Sequence, residues 1–137
     1  MKKFLTILSV AFLSSATIAQ VAEKDLPLQA AAVPAQDAKA KVESAAKFSA
    51  EKAKGNFNFQ LPATATTEAV NKAAGYYKQY FTVVYNDKTK NAKITMIEND
   101  SRGRHVIVRF LVSNGVREIS MDGKDYSIDD FWSQHMN

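Results

Sequence analysis

Two histidines, His105 and His135, are the side chains best suited to proton transfer or metal binding in this chain of 137 residues, which has no cysteine. A zinc or copper site needs several such ligands at set spacing, for instance two on one face of a helix. Neither histidine has that company. His105 lies near Arg104 and Arg109, whose charges repel a cation, and His135 has only Met136 beside it. Both read as surface histidines. Asp122, Asp125, Asp129 and Asp130 form an acidic group late in the sequence. A calcium loop spaces its oxygens regularly around a glycine and closes with a bidentate glutamate. Asp122-Gly123-Lys124-Asp125 lacks that register, so turns and helix caps account for these aspartates. The chain shows no nucleophile elbow, no outstanding glutamate pair and no glycine-rich phosphate loop. No catalytic residue, metal ligand or cofactor is assigned, and the chain is not expected to be an enzyme.

Two features have binding character. Arg102-Gly103-Arg104 is a compact basic spot, placed to receive a phosphate at a helix N-terminus. Tyr76, Tyr77, Tyr80, Phe81 and Tyr85 are a denser aromatic cluster than a core requires. On a helix, Tyr77 and Phe81 face inwards while Tyr76 and Tyr80 lie on another side, where tyrosine suits a contact surface. Tyr76, Tyr80, Arg102 and Arg104 are therefore the candidate binding residues.

The elements that position them begin near Asn56. Phe57, Phe59 and Leu61 alternate with polar residues, the period of a half-buried strand, and Pro62 ends it. Thr66 or Thr67 caps a helix with Val70, Ala73, Ala74, Tyr77 and Phe81 at helical spacing. Gly75 within it implies close packing against a neighbour. Phe81–Tyr85 and Ala92–Ile97 read as a hairpin around a polar turn. Arg104–Val112 supports two readings. Its β-branched residues favour a strand. As a helix it is capped by Asp100, ends at Gly115 and places Val106, Ile107, Phe110 and Leu111 on one face. The helix completes the order βαββαβ, with Val116–Met121 as the last strand. Ser127 then opens a closing helix through a capping pattern. The expected fold is α+β: a ferredoxin-like, four-stranded antiparallel sheet with both helices on one face, plus a C-terminal helix. The alternative is one helix packed on an antiparallel β-meander.

The order from Asn56 to Asp122, with Gly115 before the last strand, resembles the heavy-metal-associated domain. That resemblance implies the fold and would imply a metal carrier. The family's paired cysteines would fall in Leu61–Thr67, which holds no cysteine, histidine or methionine, so the metal site does not carry over. The same fold resembles propeptide-type inhibitors of subtilisin-like proteases, which present an extended C-terminal tail where this chain closes in a helix.

Upstream, residues 20–55 are an alanine- and lysine-rich tract. Pro27 and Pro34 break early helices, and Val42 and Phe48 are its larger apolar residues from Asp37 onwards. It reads as a disordered linker over 20–36 and a marginal helix over 37–54, or else a surface-binding arm. A chain starting at Gly55 is expected to keep its cooperative melt. The single domain then spans 56–137. Lys2 and Lys3, the apolar run Phe4–Leu13 and Thr17-Ile18-Ala19 have the order of a cleavable signal peptide over residues 1–19. Its loss takes two of the 18 basic residues, against 14 acidic, leaving too mild a balance for nucleic acid. No later segment is apolar enough to span a membrane.

The sequence thus points to a small exported, non-catalytic binding or interaction module, periplasmic or extracellular, with a protein partner in the cell envelope. The alternatives are an exported metal or small-ligand carrier using histidine, aspartate and methionine, and a propeptide-like protease inhibitor. N-terminal sequencing of exported material is expected to read Gln20 first. Recovery of intact Met1 in the membrane fraction would contradict cleavage.

Overall fold

A computed structural model describes residues 38–137; the expected signal peptide and the first part of the expected linker lie outside them. The elements are β1 (Lys39–Val42), α1 (Ala45–Ala53), β2 (Asn56–Gln60), α2 (Thr67–Tyr76), β3 (Phe81–Asn86), β4 (Asn91–Met96), α3 (Ser101–Ser113), β5 (Glu118–Met121), β6 (Lys124–Ser127) and α4 (Ile128–Phe131). One π-helical turn, Trp132–Met136, follows α4. The fold is α+β, as expected, but the sheet has six strands and is mixed, in the order β3-β4-β2-β1-β5-β6.

Strand periodicity dictates which side of the sheet is covered. Phe57 and Phe59 lie opposite Ile94 and Ala92, and Phe81 lies opposite Met96; all six are buried. Across the sheet, Ala40 and Val42 face Ile119 and Met121. These residues form one core with Phe48 of α1, Val70 and Ala73 of α2, and Ile107, Phe110 and Leu111 of α3. The other face carries exposed Lys41, Gln60, Thr82, Val84, Lys93 and Thr95. It is a two-layer structure whose helices share one face.

The tract expected to be a linker with a marginal helix is part of this domain from Ala38 onwards. β1 runs parallel to β5 through four residue pairs and meets β2 at Lys41 and Gln60. It stands where the four-stranded arrangement would place β5 beside β2. Ala40 is wholly buried, and a small residue flanked by lysines shows little strand character until its distant partner is known. α1 is capped by Ser44, whose hydroxyl accepts the Lys47 N–H, and by Asp122, whose carboxylate accepts the Ala45 N–H at 2.9 Å. Phe48 packs on Phe57, Phe59 and Phe131, with ring centroids 5.6, 6.0 and 5.1 Å away. One aromatic at the centre of a cluster anchors what composition alone made look solvated.

Arg104–Val112 is helical, within α3. The Asp100 side chain accepts the Gly103 N–H at 2.6 Å, and Gly115 follows the helix with a φ of 86°. Ile107 and Phe110 are fully buried and Val108 only partly, so burial of one helical face outweighs the strand propensity of the valines. Gly75 corrects another expectation: a Cβ there would meet nothing within 4 Å. The closely packed glycine is Gly103, where a Cβ would come 2.6 Å from the Met96 methyl and 3.0 Å from Asp100 Oδ1.

Phe48→Ala is expected to cost about 3–5 kcal/mol, because it empties a site among three rings. A chain starting at Gly55 loses a strand from within the sheet and is expected to lose its cooperative melt. Urea and thermal unfolding check both. A truncated chain that melts like the full one would show β1 and α1 to be dispensable.

Candidate ligand-binding cleft

Helical spacing divides α3 into two working faces. Val106, Ile107, Phe110 and Leu111 point into the core, while Arg102, His105 and Arg109 are exposed. Those three recur at intervals of three and four residues, which stacks them along one stripe. The stripe, with Ser101 and the edge of Val106 on the same helix, borders a cleft of about 570 Å³, walled on its other side by Tyr80 and Trp132.

Trp132 is held there by the C-terminal turn. Ser127 caps α4, its hydroxyl accepting the Asp130 N–H at 3.1 Å. Phe131 then enters the core against Phe48, Phe59 and Tyr126. At the far end Met136 is fully buried, and Arg104 Nε donates to its carbonyl at 2.7 Å. Lys52 Nζ donates to the carbonyls of His135 and Asn137, both at 2.9 Å. Between these anchors Trp132 meets His105 edge-on, ring centroids 4.7 Å apart. The chain has one tryptophan, and it lines this cleft.

Of the candidate binding residues, Tyr80 and Arg102 come together in the cleft. Tyr76 and Arg104 do not join them. Tyr76 is 67% exposed at the end of α2, away from the cleft lining. The helix stops there, so Tyr80 falls in the following turn and the two tyrosines share no helical face. Arg104 is a structural clasp: besides Met136 it donates to Asn99 Oδ1 at 2.9 Å. His105, Arg109 and Trp132 are cleft residues that sequence reasoning missed. The signal for the first two was their register with Arg102; that of Trp132 depends on the π-helical turn.

The aspartates serve structural ends. Asp122 caps α1, Asp125 pairs with Lys39, and Asp130 accepts a hydrogen bond from Ser127 Oγ. The Lys39 partner holds the Asp125 carboxyl below its ordinary value, and Asp125 raises Lys39 in turn. Among the described residues no three side chains of histidine, cysteine, aspartate or glutamate gather as a metal site. No helix described is long and apolar enough to cross a membrane. No family model, curated protein or solved structure matches the chain.

His135 packs behind the turn against Tyr126 and Phe131, centroids 5.0 and 5.2 Å away, with Nε2 buried and unpartnered. Burial pushes its pKa below the ordinary 6.5, and the charges of Lys124 and Lys52 push the same way. The folded state therefore prefers neutral imidazole. Its contribution is fully present above about pH 6.5 and is lost as pH falls through the depressed folded value. His135→Phe is expected to flatten that decline. Urea melts of both proteins at neutral pH and near pH 5 read the difference; equal slopes would show that His135 does not titrate across unfolding.

Proposed function

We propose that this chain is an exported, non-catalytic binding module of the cell envelope, and that the cleft between α3 and the C-terminal turn is its binding site. The export reading rests on the order of charge, apolar run and small residues over 1–19. The observation that carries the binding reading is the convergence on one concavity of two aromatic rings and two guanidinium groups that pair with no other described residue. Its volume falls within the roughly 300–1,000 Å³ of small-molecule sites. The walls come from separate elements locked by buried anchors, so the cleft exists before a ligand arrives, which reduces the ordering cost of binding.

The test is a fragment screen on ¹⁵N-labelled protein, using neutral, cationic and anionic small molecules. Amide shifts are expected to cluster on Tyr80, His105, Val106 and the Trp132 turn. Shifts scattered over the surface, or confined to another face, would overturn the site. Chemical conversion of any bound fragment would overturn the non-catalytic reading.

A further inference from the structure

We infer that the cleft takes a small organic anion, a carboxylate or phosphate carried on a flat apolar body. This rests on the cleft being the binding site. Three arginines lie on α3, and the structure uses them differently. Arg104 spends its guanidinium on Asn99 and Met136. Arg102 and Arg109 enter no ion pair or side-chain hydrogen bond among the described residues. They are seven residues apart, about 10 Å along the helix axis, with His105 between them. Arginine side chains reach far enough to close on an oxyanion from both ends of that interval. A planar guanidinium fork also suits carboxylate and phosphate better than an ammonium does.

The carboxylates nearby leave the anion a defined place. Glu98 and Asp100 lie around a neighbouring hollow on the other side of Arg102, and Asp100 is occupied in capping α3. The charged head therefore sits towards His105 and Arg109. Beside it stand Trp132 and Tyr80, each partly exposed, which offer ring surface to a flat apolar body. Inorganic phosphate would use the cations and leave the rings wet; a neutral aromatic would do the reverse.

The experiment titrates the full chain with phenyl phosphate, phenylacetate, benzyl alcohol and inorganic phosphate, read by Trp132 fluorescence and amide shifts. Phenyl phosphate or phenylacetate is expected to bind most tightly and to weaken with added salt. The double substitution Arg102→Gln, Arg109→Gln is expected to weaken that binding about tenfold or more, as loss of charge-assisted hydrogen bonds should. Both positions are exposed, so its melt should match the unsubstituted chain. Benzyl alcohol binding in the cleft as tightly as the anions would overturn the anion inference and leave the cleft as the site. So would an unchanged affinity in the double variant together with an absent salt dependence. A cleft silent to every probe, neutral or charged, would remove the site itself.

Discussion

The parallel pairing of Lys39–Val42 with Glu118–Met121 is what makes one sheet of this chain. On one side of it lie β2, β4 and β3; on the other lie β5 and β6. Without β1 these two groups have no ladder between them. The joint is not made by charge. Lys39 bridges to Asp125 and Glu118 on the open face, where exposed ion pairs contribute little. It is made by backbone hydrogen bonds over a buried row in which Ala40 is small enough for the layer above to close on it. The Asp122 cap on α1 reinforces the same end, because the turn leaving β5 holds the helix leaving β1.

The cleft inherits its geometry from that joint. Trp132 stands where it does because Phe131 and Met136 on either side are sunk into the core. Phe131 is sunk there because Phe48, one element away from β1, forms the floor beneath it. Lys52, on the same helix as Phe48, clamps the carbonyls at the end of the π-helical turn. The face of α1 that looks solvated in the sequence thus lies behind the turn that carries Trp132. A substitution at Phe48 reaches the cleft through Phe131 without touching any residue that lines it.

What the sequence made legible was local. The Thr66 and Ser127 caps, the Asp100 cap with Gly115 beyond the helix, and the Phe81–Ile97 hairpin each declare themselves within a few residues. The inward residues of α3 followed from periodicity once its helical state was chosen. β1 was illegible because its evidence lies in β5, far along the chain, and because alanine and lysine carry little strand preference. The site was half legible. Arg102 and Tyr80 could be picked out by type, yet the partners that make them a cleft depend on where α2 stops and on how the chain winds after Phe131. Both are settled by tertiary packing.

The placement of β1 also dictates an order of events. This strand is synthesised before the rest of the domain, yet its ladder needs residues 118–121, far along the chain. Until then β1 has a single bridge to β2, at Lys41, too little to hold four residues extended against their chain entropy. Closing a loop that long is slow, and local hairpins form well ahead of it. Until β5 is made, the strands on either side of β1 therefore stay unjoined. Completion of β5 supplies the missing ladder and closes the six strands into one sheet.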